Sequence, residues 1–143
     1  MTPPVLDGAM LQAKLRAMRE LLDDLDTLPS IDLAALQADR MLRHGVERVL
    51  TQLVELAVAV NGHLAVVRLG RGAATYRESF ALAARAGALS ADLAERLAPS
   101  VGLRNVLVHE YAVVDLRLVL AAVDQARTDY RAYVAAIADV LAT

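Results

Sequence analysis

Residues 42–67 read LRHGVERVLTQLVELAVAVNGHLAVV, and this stretch decides the fold class. Its apolar side chains recur at spacings of three and four residues, which places them on one face of an α-helix. They are Leu42, Val46, Val49, Leu50, Leu53, Ala57, Val60, Leu64 and Val67. No segment of the chain shows the two-residue alternation of a β-strand. We therefore expect an all-α protein built around one long helix.

Shorter helices are expected on both sides of the long one. An amphipathic helix precedes it, with apolar residues at Leu11, Leu15, Met18, Leu22 and Leu25. Pro29 should stop this first helix, and Ser30 can cap the long helix.

Polar residues mark the starts of the later helices. Thr75, with Glu78 three residues on, forms a capping-box pattern, and Ser90 and Asp115 stand at two further N-cap positions. Pro99 should kink or split the helix that starts after Ser90, the fourth of the predicted helices. The last helix carries apolar residues at Leu116, Val119, Val123, Ala126, Tyr130, Ile137 and Leu141. We expect residues 1–143 to form a single domain, a bundle of about five helices.

Composition limits the class of protein. Of the 143 residues, 57% are hydrophobic but only 3% are aromatic, so aliphatic side chains must fill the core. This suggests more apolar surface than one small bundle can hide, which favours oligomerisation. Cysteine is absent, and the longest uncharged run of the apolar region, residues 56–67, falls short of the roughly 20 residues of a membrane helix. Without a signal-peptide pattern, we expect a soluble, cytoplasmic protein that contacts no membrane.

The net charge of −2 argues against a non-specific nucleic-acid binder, but the charge is unevenly distributed. Residues 1–39 carry three basic and seven acidic side chains (−4), residues 40–104 nine and five (+4), and residues 105–143 three and five (−2). The basic middle could bind phosphate on one surface, or its charges could be ordinary solvated helix faces.

Two features outside the main motif are candidates for a site. Residues 70–72, Gly-Arg-Gly, faintly resemble a phosphate-binding loop, but no strand precedes them, so a plain turn between helices is the stronger interpretation. A polar stripe follows the long helix at Arg48, Gln52, Glu55 and His63. It is either a solvent-facing or dimer-facing edge or a set of residues that support a site.

Residues 104–111, RNVLVHEY, hold the strongest chemistry in the chain. Asn105 and His109 are four residues apart, so on a helix the amide can reach the imidazole and fix its tautomer. Arg104 offers a planar fork of donors suited to a phosphodiester. His109 can take the proton of a ribose 2′-hydroxyl while Arg104 stabilises charge on the phosphoryl oxygens, which cleaves RNA without a metal.

Cleavage also needs an acid for the leaving 5′-oxygen, and the segment has a single histidine. A two-fold dimer with this segment at its interface would supply two histidines and two arginines to one cleft. The alternative is a purely structural helix end, with His109 near the negative end of the helix dipole.

Arg104 to His109 matches the Arg-x4-His form of the HEPN ribonuclease motif, and the extension to Tyr111 resembles the narrower Arg-x4-His-x-Tyr form of the HepT toxin family. The similarity covers roughly residues 35–130. It includes Arg48, His63-Leu64, residues 75–80 (TYRESF), Leu89-Ser90 and residues 101–103 leading into the motif. The chain departs from the family at Ala59, where an acidic residue is common, and at Pro99, which interrupts a helix that usually runs unbroken.

The resemblance implies a function. HepT-like proteins are metal-independent ribonucleases that need no cofactor, form dimers with a composite cleft, and are neutralised by an antitoxin with a minimal nucleotidyltransferase fold. That antitoxin can transfer AMP from ATP to the motif tyrosine, here Tyr111. The resemblance thus implies Arg104, Asn105 and His109 as catalytic residues, with Arg48, Glu55 and His63 as supporting candidates and no metal ligands.

Other functions stay open at this point. The chain could be a non-catalytic HEPN module that binds a nucleotide or serves as the scaffold subunit of a nucleotidyltransferase complex. It could also be a helical interaction domain unrelated to RNA. A helix-turn-helix DNA-binding protein is disfavoured because no basic recognition helix is present.

Overall fold

The computed structural model describes residues 2–28, 30–109 and 114–143. Within these ranges every regular element is helical. In chain order they are α1 (Gly8–Thr27), α2 (Leu33–Ala38), α3 (Arg40–Leu69), α4 (Tyr76–Arg85), α5 (Ala91–Leu97), α6 (Pro99–His109), α7 (Leu116–Gln125), a π-helical turn (Ala126–Tyr130) and α8 (Arg131–Ala142). The expected all-α bundle is confirmed, and the helices are more finely divided than the sequence suggested.

Helix α3 is the centre of the bundle, and it packs against α1, α2, α4, α6 and α7. Its apolar face is buried much as the periodicity predicts, with Leu53, Ala57, Val60 and Leu64 fully buried. All five apolar residues expected on α1 are buried as well. The core is therefore aliphatic and continuous, with α3 in contact with most other elements.

Helix α3 is also long and apolar enough, by length and composition alone, to cross a membrane. Half of its most apolar window of 18 residues is buried inside the fold. Packing in the bundle therefore accounts for much of its apolar character.

Three of the four predicted helix caps are confirmed. The side chains of Thr75, Ser90 and Asp115 accept backbone N–H bonds at the starts of α4, α5 and α7. The prediction that Ser30 caps the long helix is wrong. A separate short helix, α2, intervenes. Asp32 caps α2, with Oδ1 2.7 Å from the Ala35 nitrogen, and Asp39 caps α3.

Pro99 splits the fourth predicted helix, as expected. It occupies the first position of α6, where its missing N–H has no carbonyl to bond and its fixed φ suits a helix. The last predicted helix is divided too, because a π-helical turn separates α7 from α8. The turn brings Asp129 to Arg96, and it brings the Tyr130 hydroxyl to 2.7 Å from Ser100 Oγ.

A chain of polar contacts crosses the core and joins three helices. Tyr133 of α8 donates its hydroxyl to Asn61 Oδ1 of α3 at 2.6 Å. Asn61 Nδ2 in turn donates to Ser79 Oγ of α4 at 3.2 Å, and Ser79 donates to the carbonyl oxygen of Tyr76 at 2.6 Å. Burial raises the pKa of Tyr133 well above its ordinary value. Because the partners satisfy one another, these polar groups can be buried at little cost.

Candidate functional site

The three strongest candidate residues lie on one helix, α6. Its buried Val101, together with the partly buried Leu103 and Leu107, anchors α6 to the core. Because α6 packs on both α3 and α4, a long side chain leaving it can reach both helices. Arg104 is such a side chain.

The guanidinium of Arg104 is held by residues of all three helices. Its Nη2 lies 3.0 Å from Glu55 Oε1 on α3, forming an ion pair. Its Cζ lies 4.7 Å from the centre of the Tyr76 ring at the start of α4, a cation–π contact. The side chain is only 13% exposed, and its Nε is buried without a hydrogen-bond partner in the described residues. Arg104 is therefore a positioned cation rather than a mobile surface charge.

His109 is the last residue of α6, and its side chain is exposed. Its Nε2 lies 3.5 Å from Arg104 Nη1, at the outer limit of a hydrogen bond. Since a guanidinium only donates, this contact is a hydrogen bond only in the tautomer that leaves Nε2 without a proton.

Asn105 has a different partner from the one the spacing predicted. Its Oδ1 accepts a hydrogen bond from Arg104 Nη1 at 3.2 Å. The described contacts give it no bond to His109, although the two residues are one helical turn apart. The strong donor nearest the amide is the neighbouring guanidinium. Asn105 therefore orients Arg104, and the expected effect on the His109 tautomer is not seen.

The supporting candidates on α3 are not all brought to the same place. Glu55 contacts Arg104 directly. Arg48 is exposed two turns earlier on the helix, and the described contacts give it no ion pair. His63 accepts a hydrogen bond from the Asp7 nitrogen at 2.9 Å, which ties the start of α1 to α3. Tyr111 lies outside the described residues.

The glycine-rich segment, residues 70–72, lies in the connection between α3 and α4, as the sequence predicted. Gly70 ends α3 with a φ of 71°, a left-handed conformation that glycine adopts without strain. Arg71 pairs with Glu78 at 2.7 Å, so its charge is already engaged within the chain.

Two clefts border Arg104. The first, about 400 Å³, lies between α3, α5, α6 and α7 and is mostly apolar, with Leu50, Val54, Val106 and Leu118 among its lining residues. The second, about 420 Å³, lies between the first turn of α4 and α6. Among residues 2–28, 30–109 and 114–143, no three acidic or histidine side chains gather as a metal site requires.

Sequence reasoning missed the role of Tyr76. The sequence did contain a sign of this role. Tyr76 occupies the first position of a helix, where an aromatic side chain has few core contacts to make. In a chain with one phenylalanine and four tyrosines, an exposed ring beside an arginine is a notable feature.

The fold is that of solved HEPN toxins. It matches the tri-AMPylated Shewanella oneidensis HEPN toxin in complex with MNT antitoxin with a TM-score of 0.82 at 21% identity, covering 94% of this chain and 99% of that one. A mutant of the MntA-HpeT toxin–antitoxin complex gives 0.81 at 21% identity, with 91% and 98% covered. YutE of Bacillus subtilis, a cytosolic protein of unknown function, gives 0.80 at 13% identity, with 95% and 91% covered. The architecture is the HEPN-type bundle expected from the sequence.

The sequence comparisons define the family. The family model described as Ribonuclease HepT-like matches residues 18–137. The tRNA nuclease HepT of Aphanizomenon flos-aquae is 30% identical over 139 residues, which are 96% of this chain and 94% of that protein. The chain belongs to the ribonuclease HepT-like family, as the resemblance of its motif indicated.

Proposed function

We propose that this protein is a metal-independent endoribonuclease that acts as the toxin of a toxin–antitoxin pair. The observation that carries the proposal is the pairing of a held guanidinium, Arg104, with an exposed imidazole, His109, 3.5 Å apart on one helix. A cation beside a proton acceptor is the minimal equipment for phosphodiester cleavage through the ribose 2′-hydroxyl.

In the proposed reaction, His109 Nε2 removes the proton of the 2′-hydroxyl next to the scissile phosphate. The 2′-oxygen attacks phosphorus, the P–O2′ bond forms, and the P–O5′ bond breaks. Arg104 stabilises the negative charge that grows on the phosphoryl oxygens. Asn105 and Glu55 keep the guanidinium in place. The products are a 2′,3′-cyclic phosphate and a 5′-hydroxyl.

The leaving 5′-oxygen needs a proton. We assign the role of proton donor to His109 of a second protomer, related to the first by a two-fold axis. The apolar cleft beside Arg104 supports this assignment, because it exposes aliphatic surface next to the catalytic pair. Leu118, on its rim, is 59% exposed. A self-complementary interface there would bring both Arg104–His109 pairs into one groove.

Single substitutions test the catalytic pair. We expect His109→Ala and Arg104→Ala to abolish RNA cleavage and growth arrest on expression, while circular dichroism and oligomeric state stay unchanged. Exposed Arg85→Ala, which removes the same charge elsewhere, is the control. A His109→Ala protein that cuts RNA as fast as the wild type would contradict the assignment. Normal growth and no cleavage by the wild type would point to the non-catalytic scaffold function.

Mixing wild-type and His109→Ala protomers tests the composite site. A heterodimer of the two keeps only one of the two histidines that the proposed reaction needs, so we expect it to be inactive. Cleavage should then fall with the square of the wild-type fraction. If each protomer holds a complete site, cleavage falls in simple proportion to that fraction.

A chelator tests the independence from metal. Arg104 and His109 supply both the charge and the proton transfer, so cleavage should continue at the same rate in excess EDTA. A loss of activity that added Mg²⁺ restores would overturn this part of the proposal.

We further assign the protein an antitoxin partner of the minimal nucleotidyltransferase class and a cytoplasmic location. Transfer of AMP would join the Tyr111 hydroxyl to the α-phosphorus of ATP and release pyrophosphate. Because Tyr111 follows His109 by two residues, the added negative charge would compete with the RNA phosphate. Mass spectrometry after incubation with the partner and ATP should find AMP on the wild type and none on Tyr111→Phe.

A further inference from the structure

A second surface beside Arg104 lies outside the catalytic pair. It is the cleft of about 420 Å³ between the start of α4 and α6, which we call the α4–α6 cleft. Its size falls within the roughly 300–1,000 Å³ range of ligand pockets. It is lined by Thr75, Tyr76, Arg77, Val101, Gly102, Arg104 and Asn105. The lining contains two guanidinium groups and no carboxylate, so it favours an anionic ligand.

Tyr76 gives this cleft an aromatic surface. The residue is 37% exposed, whereas Phe80, Tyr130 and Tyr133 are buried in the core. The Arg104 Cζ lies over the ring at 4.7 Å from its centre, and more than a third of the residue's surface is exposed. An aromatic ring next to an arginine is a common platform for stacking a nucleobase.

Arg77 supplies a second cation to the same cleft. Its Nη2 would lie 3.8 Å from a Cβ atom at Gly102, so the guanidinium extends over α6 at the residue that has no side chain. Arg77 is exposed, and within the described residues it pairs with no carboxylate. In contrast to Arg104 and Arg71, its donors are available for a phosphate.

We propose that the α4–α6 cleft binds one nucleotide of the RNA next to the scissile phosphate. The base stacks on Tyr76, and the flanking phosphate bonds to Arg77. This inference rests on the proposed ribonuclease function and extends it, because it places a substrate-binding subsite on α4, outside the motif of α6. The class of ligand is a nucleotide unit of single-stranded RNA, since a paired base would not present its face to the ring.

Equilibrium binding of a short single-stranded RNA with 2′-O-methyl riboses tests the subsite, because this RNA cannot be cut through the 2′-oxygen. A matched series carries one abasic position at each place along the strand. We expect one abasic position to weaken binding to the wild type by about tenfold, as loss of a single stacked base does. Tyr76→Leu should remove this difference and Tyr76→Phe should keep it.

Arg77 is tested by the salt dependence of the same binding. Arg77→Ala should reduce the slope of log affinity against log salt by about 0.7, the value of one phosphate contact on a single strand. Arg85→Ala, at the other end of α4, removes the same charge and should leave the slope unchanged.

Three outcomes overturn the subsite. In the first, the abasic position still weakens the binding of RNA to Tyr76→Leu. In the second, Arg77→Ala and Arg85→Ala reduce the salt slope equally. In the third, Tyr76→Leu lowers only kcat on unmodified RNA, which would mean that the ring merely positions Arg104. Failure of the ribonuclease proposal gives a different result, in which RNA binds with these dependences but unmodified RNA stays intact.

Discussion

Arg104 is the most constrained polar residue of the proposed site. A carboxylate, an amide and an aromatic ring fix its orientation, and each comes from a different part of the chain. Such constraint lowers the reorganisation needed when a phosphate binds. It also creates a competition, because Glu55 occupies a donor that a substrate phosphate would use.

Removal of the Glu55 charge should strengthen the binding of the RNA substrate. Glu55→Gln keeps an oxygen that accepts from Arg104 Nη2, so we expect kcat to be retained. KM for RNA should fall by up to about fivefold, because partly exposed ion pairs contribute up to about 1 kcal/mol. Steady-state kinetics on a defined RNA measures both values. Exposed Glu95→Gln is the charge-matched control, and a collapse of kcat in Glu55→Gln would mean that the carboxylate takes part in the reaction.

The hydroxyl of Tyr133 should contribute to stability. Tyr133→Phe leaves the fully buried Asn61 Oδ1 without its donor, and we expect the free energy of unfolding to fall by about 1–3 kcal/mol. Urea denaturation gives the value. Tyr130→Phe, which loses only the contact with the partly buried Ser100, should cost less. Equal stability of Tyr133→Phe and the wild type would show that the buried hydrogen bond contributes nothing net.

The buried tyrosines also predict sensitivity to alkali. Burial raises the pKa of Tyr130 and Tyr133 above the ordinary value of 10.0. Above about pH 10 the unfolded chain therefore releases protons that the folded chain keeps. The contribution of the two tyrosines to the free energy of unfolding is fully present below that pH. It falls as pH rises, by up to about 1.4 kcal/mol per pH unit for each tyrosine. Denaturation curves below and above pH 10 should show a shallower fall for Tyr133→Phe, and parallel falls would contradict this origin.

At the residue scale the sequence indicated candidate catalytic residues but not their contacts. Arg104 and His109 could be chosen because few residue types carry out phosphodiester cleavage. Their neighbours could not be placed, because Glu55 and Tyr76 lie far from them in the chain. The helical spacing suggested Asn105 beside His109, but it ignores the competing donor one residue away.

At the scale of elements, the position of α4 depends on its cap. Thr75 accepts the N–H of Glu78 at 3.0 Å and so fixes where the helix begins. Its next residue carries the ring that packs on Arg104. The start of this helix is thus coupled to the orientation of the guanidinium.

Loss of this cap should affect both stability and activity. Thr75→Ala should lower the free energy of unfolding by about 1 kcal/mol and reduce cleavage, because the first turn of α4 frays. Thr75→Ser keeps the accepting oxygen and should restore both. Thermal denaturation and a cleavage assay on the three proteins provide the comparison. Activity lost equally in Thr75→Ser would point to another role for the residue.

Helix starts were predictable where one polar residue precedes a clear apolar period, as at Thr75, Ser90 and Asp115. They were not predictable in residues 30–40, where Ser30, Asp32 and Asp39 all suit a cap. Burial of Leu36 against the rest of the core selects the short α2 there. The π-helical turn was also missed, because its cause is tertiary: the extra residue places Asp129 and Tyr130 against partners more than 25 residues away.

At the scale of the whole molecule, the proposed function requires a dimer. Leu118 is a large apolar residue with more than half of its surface exposed, and it borders the cleft beside Arg104. The high hydrophobic content of the chain fits a second copy at this face.

A charge at this face should separate the protomers. Leu118→Arg should shift the protein from dimer to monomer in sedimentation velocity and lower cleavage by at least roughly tenfold, as loss of an interface hot spot would. Met41→Arg, an equally drastic change at an exposed residue outside this cleft, should leave both unchanged. A Leu118→Arg protein that still sediments as a dimer would move the interface elsewhere.

The chain of hydrogen bonds that runs from Tyr133 through Asn61 and Ser79 ends at the backbone carbonyl group of Tyr76. The C-terminal helix therefore belongs to the scaffold of the cleft, although almost thirty residues separate it from Arg104 in the chain. A shortened protein that ends before α8 would lose the anchor beneath the ring, and with it the support of the guanidinium. Because α8 also buries Tyr133 and Ile137 in the core, such a truncation should weaken the bundle together with the support of the cleft.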